Sequence, residues 1–108
     1  MPYDQDLAAR IRRVLRRRAN ISERQMFGGL AFMYKGKMCC GIVGRDLMVR
    51  VPEKDMAPAL KHPHVRPMDF TGRPLREFVY VARQSVATDD SLRHWVLKGV
   101  AFVKQRVG

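Results

Sequence analysis

Apolar residues recur with two different periods along the chain, and the change of period predicts its elements. Leu7, Ala8, Ile11, Val14 and Leu15 recur every three or four residues, the spacing of one helix face. The middle of the chain instead has short apolar runs separated by glycines, a pattern typical of strands joined by tight turns. The predicted strands are residues 24–27, 30–34, 38–43 and 47–51.

The second half of the chain is predicted to contain two helices with a strand between them. Residues 53–60 are predicted as a short helix, in which Pro58 requires either a start near Asp55 or an irregular first turn. Residues 75–81 are apolar on both faces, as expected for a strand inside a sheet. The last helix begins at Thr88 and Asp89, either of which can cap it.

This order of elements predicts an α+β fold. The order is one helix, three or four strands, a helix, a strand and a helix. It suits a two-layer structure in which helices pack on a meandering antiparallel sheet of about five strands. We expect a single domain over residues 1–108, because a chain of this length can bury one modest core.

The charge of the chain is strongly positive, with 21 Lys and Arg against 10 Asp and Glu and a formal net charge of +11. Such an excess raises the expectation of a polyanionic partner, although a well-solvated basic surface is the simpler explanation. Arginines are concentrated on and beside the first helix, which we expect to end near Asn20. If this helix binds nucleic acid through phosphates, the contacting residues are Arg10, Arg12, Arg13, Arg16, Arg17 and Arg18.

The sequence predicts no catalytic residue, no metal site and no cofactor site. Cys39 and Cys40 are adjacent within a predicted strand, which favours two buried structural thiols over a nucleophile or a disulfide. His62 and His64 lack the spacing of a zinc site. We therefore expect a non-enzymatic protein without a small-molecule substrate.

Cysteine usage and the N-terminus bear on localisation. Two cysteines form no disulfide framework, so a reducing compartment is the simpler inference. The first residues lack the apolar stretch of a signal peptide, and no apolar run approaches the length of a membrane span. We expect a cytoplasmic protein with no membrane partner.

Residues 66–74 combine a constrained backbone with a specific set of polar residues. Two prolines and Gly72 predict a built turn, and two arginines flank one aspartate. We expect Asp69 to pair with Arg66, Arg73 or backbone amides, which would make the segment structural; the alternative is a binding surface. As a binding surface it would use Arg66, Asp69, Thr71 and Arg73.

The strands at 38–43 and 75–81 carry more apolar residues than one covered sheet face requires. The surplus indicates a docking surface or dimerisation, unless loops cover the second face. We expect a protein partner, which includes a second copy of the chain, and keep nucleic acid as the alternative.

Several separated blocks of the sequence resemble the N-terminal domain of the TfoX/Sxy family. They are Met-Phe-Gly-Gly-Leu-Ala-Phe at 26–32, Met38 with Cys-Cys-Gly at 39–41, Asp-Leu-Met-Val-Arg at 46–50, and residues 64–74. The resemblance runs from about Leu7 to Val107. It implies a two-layer α+β domain with a meandering antiparallel sheet.

The function implied by this resemblance is regulatory. The family is named for regulators of natural competence, which are associated with transcriptional control of DNA-uptake genes. Those regulators carry a second, helical domain that has no counterpart before Gly108. The chain thus resembles the stand-alone members, and the family supplies no catalytic residues to carry over.

Overall fold

Strands and helices make up most of the chain in its computed structural model, which describes residues 3–26, 28–70 and 73–107 and omits the side chains of 26, 68–70, 73–76 and 107. Within these residues there are six strands: β1 (Ile21–Met26), β2 (Gly29–Tyr34), β3 (Lys37–Val43), β4 (Asp46–Arg50), β5 (Val65–Phe70) and β6 (Arg73–Val81). The helices are α1 (Gln5–Leu15), α2 (Met56–Leu60) and α3 (Asp89–Val107). Two 3₁₀ turns, Glu53–Asp55 and Arg83–Val86, precede α2 and α3.

The strands form one open antiparallel sheet in the order β1-β2-β3-β4-β6-β5. The first four strands meander, and α2 then carries the chain past the position of β6 to the far edge. β6 returns between β4 and β5, so both of its neighbours are strands. This position explains its apolar residues on both faces, as expected for an interior strand.

The helices pack on the sheet around one apolar core. Phe32, Cys40, Val49 and Val79 are neighbours in the registers of β2, β3, β4 and β6, and all four are buried. Against the sheet lie the buried apolar faces of the two long helices, with Ile11 of α1 fully buried. The α3 residues in this core are Leu92, Trp95, Val96, Val100 and Val103.

The predicted α+β fold is confirmed, with corrections at its edges. The sheet has six strands instead of about five, because Val65–Phe70 forms β5 where we expected a loop and a turn. Proline is tolerated in an edge strand, where one side of the backbone needs no partner, so Pro67 does not prevent pairing with β6. The first helix ends at Leu15, before Asn20.

Side-chain caps begin both long helices. The backbone N–H of Leu7 donates to the Asp4 carboxylate at 3.1 Å, and the N–H of Ser91 donates to the Thr88 hydroxyl at 3.1 Å. Each bond satisfies one N–H that the helix itself cannot pair. The prediction that the last helix begins at Thr88 and Asp89 is therefore confirmed in detail.

Close packing at Gly99 seats α3 on the sheet. A Cβ added to Gly99 would overlap the carbonyl oxygen of Cys39 and lie 3.4 Å from Cγ1 of Val49. Only glycine allows the helix backbone to approach β3 this closely. Because α3 has 19 residues, its two ends project well beyond this contact, towards different parts of the surface.

The second face of the sheet is also largely covered at its centre. Ala31, Gly41 and Met48 are neighbours across β2, β3 and β4, and all three are buried. The methyl group of Met48 lies over Gly41, where an added Cβ would be 2.7 Å from it. The centre of this face is thus buried within one chain, whereas Phe78 and Tyr80 of β6 are half-buried, and the expected docking surface stays a prediction.

Among the described residues, we find no helix that combines the length and the apolar character needed to cross a membrane.

Candidate functional site

The arginines near the N-terminus occupy two structurally different positions. Arg10, Arg12 and Arg13 belong to α1, whereas Arg16, Arg17 and Arg18 follow it. The N–H of Arg18 donates to the carbonyl of Leu15 at 3.0 Å, so the chain makes a tight turn directly after the helix. The sequence predicted one continuous basic helix, and the structure instead places three of its six arginines in the turn after α1.

Four of these six arginines line a groove together with one arginine from the other end of the chain. We call this the arginine groove, and its volume is about 560 Å³. Its lining residues are Arg13, Val14, Arg16, Arg17, Arg18 and Arg93. Arg93 comes from the first half of α3, which packs against α1. Arginine side chains thus supply all but one of the groove's lining residues.

The guanidinium groups of the groove have no protein partner among the described side chains. None of Arg13, Arg16, Arg17, Arg18 or Arg93 takes part in an ion pair or a side-chain hydrogen bond within that part of the chain. All five residues are exposed. Guanidinium groups held close together repel one another, and a bound polyanion would relieve this repulsion.

Arg10 is structural rather than available to a partner. Its Nη2 donates to the carbonyl of Val86 at 2.9 Å and lies 3.4 Å from the carboxylate of Asp89. Its side chain is only 18% exposed. These contacts join α1 to the start of α3, so the assignment of Arg10 as a nucleic-acid contact is not supported by its geometry.

Arg12 is held by a bidentate ion pair. Its Nε and Nη2 each donate to Glu23 of β1 at 2.8 Å. The hydrogen bonds from Arg12 lower the pKa of the Glu23 carboxyl, and those to Glu23 raise the pKa of Arg12. Since Arg12 is paired, the contact surface expected from the sequence is reduced to the other four arginines.

Acidic residues mark one flank of the arginine groove. Asp89 and Asp90 line a neighbouring depression of about 240 Å³, which shares Arg13, Val14 and Arg93 with the groove. Two carboxylates on this side disfavour a polyanion. A bound polyanion would therefore lie towards the Arg16–Arg17–Arg18 turn.

The candidate surface at residues 66–74 is only partly described. Arg66 of β5 donates to the carboxylate of Asp46 at 2.6 Å, and its guanidinium lies 4.7 Å from the ring centre of Tyr80. The side chains of Asp69 and Arg73, and the whole of Thr71, lie outside the described residues. The expected pairing of Asp69 therefore stays a prediction, whereas Arg66 joins β5 to β4.

The two cysteines are buried, as expected for structural thiols. The Cys39 thiol lies 3.2 Å from the carbonyl oxygen of Phe32, to which it donates a hydrogen bond. The hydrogen bond between the neighbouring thiols and complete burial together raise the pKa of Cys40 well above its ordinary value. A protonated thiol is a poor nucleophile, which makes Cys40 unreactive at neutral pH, whereas the same hydrogen bond lowers the pKa of Cys39.

Two of the three histidines lie against one tryptophan ring. His62 and His94 each meet the ring of Trp95 edge to face, with ring centres 5.3 and 5.9 Å apart, and His64 lies exposed in the loop before β5. In the part of the chain that is described, no three His, Cys, Asp or Glu residues are grouped so that they could hold a metal ion.

Comparison with known families identifies the family to which the chain belongs. The family model of the TfoX N-terminal domain matches residues 13–103, which is most of the chain. The chain belongs to the TfoX N-terminal domain family. This TfoX N-terminal domain is therefore a competence-regulator-like domain, as the sequence blocks indicated. Searches of curated proteins and of solved structures found no match.

The family match leaves the arginine groove unexplained. The matched region contains Arg13, Arg16, Arg17, Arg18 and Arg93, but the match assigns no role to any residue. Sequence reasoning missed Arg93, because 75 positions separate it from Arg18. The only signal for it was its place on the last predicted helix, away from that helix's apolar face.

Proposed function

We propose that this TfoX N-terminal domain is a non-enzymatic, cytoplasmic regulatory module that binds nucleic acid through the arginine groove. The observation that carries the proposal is the grouping of five exposed arginines without a carboxylate in the groove lining. Phosphodiester backbones offer regularly spaced anions, and arginine forms bidentate hydrogen bonds with them. Binding of this kind is independent of base sequence and is compatible with a role in transcriptional regulation.

Salt dependence is the sharpest property of such an interface. Each phosphate neutralised releases condensed counterion, so the logarithm of affinity falls linearly with the logarithm of salt concentration. Five contacts predict a slope of about −4.5, or a loss on the order of 500-fold in affinity between about 50 and 200 mM salt. Fluorescence anisotropy with labelled duplex DNA and single-stranded RNA measures this slope.

The test replaces Arg16, Arg17 and Arg18 together by glutamine. Loss of three contacts should reduce the magnitude of the slope by about 2.7 and weaken binding at low salt by at least about tenfold. The matched control replaces Lys54, Lys61 and Lys104, which are exposed and outside the groove, so that the same charge is removed elsewhere. The proposal fails if both triple variants lose affinity equally, or if no binding occurs at low salt.

An acidic protein is the competing occupant of the groove. A poly-glutamate peptide of matched charge tests it in the same assay. Tighter binding of the peptide than of either nucleic acid would indicate that an acidic protein, and not nucleic acid, binds in the groove.

A specific observation also favours a second function, self-association through β1. This strand pairs with β2 alone among the described strands, and its residues Ser22, Glu23, Arg24 and Gln25 are exposed. The opposite edge strand carries Pro67, which limits further pairing, whereas β1 has no proline. An antiparallel pairing of β1 with β1 of a second copy would give a twofold dimer with a continuous sheet.

Sedimentation analysis combined with hydrogen exchange tests this dimer. We expect the mass to double with rising concentration, while the outward-facing amides of β1 become protected. A sedimenting monomer whose outward β1 amides exchange freely at every concentration would exclude it, without affecting the proposal for the arginine groove.

A further inference from the structure

A second cluster of positive charge lies near the other end of α3, where β3 begins and β4 ends. We call it the Arg50 pocket. Its volume is about 210 Å³, and its lining residues are Lys37, Arg50, Val103 and Arg106. Val103 is buried and forms an apolar wall, whereas the three other residues are cations. This pocket shares no residue with the arginine groove.

Arg50 is held in place by rings rather than by hydrogen bonds. Its guanidinium lies 5.4 Å from the ring centre of Phe78 and 5.9 Å from that of Phe102. The side chain is only 19% exposed. Cation–π contact with two aromatic rings restrains the guanidinium beside the pocket.

The donors of Arg50 are poorly satisfied by the protein. Its Nε is buried and has no hydrogen-bond partner among the described residues. The nearest carboxylate oxygen, on Glu77, is 3.8 Å from Nη2, beyond hydrogen-bonding distance. Glu77 instead pairs closely with Arg106, at 2.7 Å. The unpaired Nε is closed to solvent, so an anion in the pocket would meet the Nη groups of Arg50.

The backbone beside Arg50 adopts an uncommon conformation that a hydrogen bond holds in place. Glu77 has φ 71°, in the left-handed region that a residue with a Cβ rarely adopts. Its carbonyl accepts a hydrogen bond from the N–H of Val51 at 2.8 Å, which holds the distortion beside Arg50. Strain of this kind persists only where surrounding contacts impose it, and it is concentrated at functional sites.

Charge and size indicate the kind of ligand. Three cations and the Glu77 carboxylate give a net charge of +2, which complements a phosphate group of about −1.5 to −2 at neutral pH. A water molecule occupies about 30 Å³ in the liquid, so the pocket has room for a phosphate group with a small substituent. The carbonyl end of α3 opposes an anion here, but three full cations outweigh its partial charge.

We propose that the Arg50 pocket binds a single phosphate group, either inorganic phosphate or a small phosphomonoester. The guanidinium of Arg50 donates to it from its position beside Phe78 and Phe102, and Lys37 and Arg106 close around it from the exposed side. The pocket thus gives the domain a small-ligand site that is separate from the proposed nucleic-acid surface.

Amide chemical shifts measured during titration of the full chain test the site. Inorganic phosphate and O-phosphoserine are added separately, against sodium chloride at matched ionic strength. We expect saturable shifts at Lys37, Val103 and Arg106 with one or both phosphates and none with chloride. Tighter binding of phosphoserine identifies a monoester as the ligand class, and tighter binding of inorganic phosphate identifies the free ion.

Substitutions that remove a cation and one that removes the anion should change phosphate binding in opposite directions. Lys37→Gln and Arg106→Gln should each weaken phosphate binding about tenfold, whereas Glu77→Gln should strengthen it because a competing carboxylate is removed. Lys104→Gln lies on the same helix outside the pocket and should change nothing. Shifts confined to the arginine groove, or equal shifts with chloride, would overturn the proposal.

Discussion

Two clusters of positive charge lie near opposite ends of α3 and differ in how their side chains are held. Arg93 and Arg106, one from each cluster, are 13 positions apart, which corresponds to roughly 20 Å along a helix. The arginine groove is open, and its side chains have no partner among those described. In the Arg50 pocket, the guanidinium of Arg50 lies beside two aromatic rings, and that of Arg106 is paired with Glu77.

The difference shows that a net charge of +11 does not by itself define a site. An open row of solvated arginines suits an extended polyanion, which gains affinity from several weak contacts. A smaller pocket with a restrained guanidinium suits one compact anion, which gains affinity from preorganised donors. The two clusters should therefore respond differently to substitution.

Gly99→Ala should have the largest effect, because it acts on the helix that both clusters share. The added methyl would overlap the Cys39 carbonyl, so α3 must shift from β3. We expect a loss of about 1–3 kcal/mol in the free energy of unfolding, net of the better helix propensity of alanine. Urea denaturation measures this loss of stability. Binding at both proposed sites should weaken together.

Gly36→Ala is the matched control for this prediction. A Cβ at Gly36 meets nothing within 4 Å, although φ there is 82°. The cost should be about 1 kcal/mol from the left-handed backbone alone, with both clusters intact. A Gly99→Ala protein as stable as the unsubstituted chain would contradict the close seating of α3.

Arginine substitutions in the two clusters should differ in their effect on stability. Arg50→Ala should cost about 1–2 kcal/mol, because the side chain covers Phe78 and Phe102, whereas Arg17→Ala should stay within about 0.5 kcal/mol. Thermal denaturation of the two variants side by side measures this difference in stability. Arg50→Met keeps apolar bulk without charge and should recover most of the loss. Equal melting temperatures for Arg50→Ala and Arg17→Ala would remove the distinction between a built pocket and an open groove.

Local sequence patterns predicted most of the fold but missed the pairing of β5. Periodicity and capping residues located α1, α3 and the meander, because these features depend on neighbours in sequence. Pro67 and Gly72 favoured a turn at residues 66–74. Only the pairing with β6 shows that a proline is accommodated there, and pairing is a tertiary property.

The candidate sites were less predictable for the same reason. The sequence identified a concentration of arginines but could not tell which were paired. Arg10 meets Asp89 across 79 positions, and Arg93 joins the groove from the far end of the chain. The Arg50 pocket gave no sequence signal, since its residues come from two strands and a helix.

The smallest expected effect separates two adjacent arginines, Arg12 and Arg13. Glu23→Gln removes the partner of Arg12 and should cost roughly 0.2–1 kcal/mol at neutral pH, because the pair is partly exposed. Arg12 lowers the pKa of Glu23 below its ordinary 4.5, so the stabilisation is present above that pH and is lost as pH falls through the lowered value. The stability of the two proteins should therefore converge in acid.

At neutral pH the variant also releases a cation beside Arg13, so its affinity for nucleic acid should rise slightly while its stability falls. Glu53→Gln, at an exposed position, is the control of equal charge. The same affinity gain in that control would show that the effect follows net charge and not the release of Arg12.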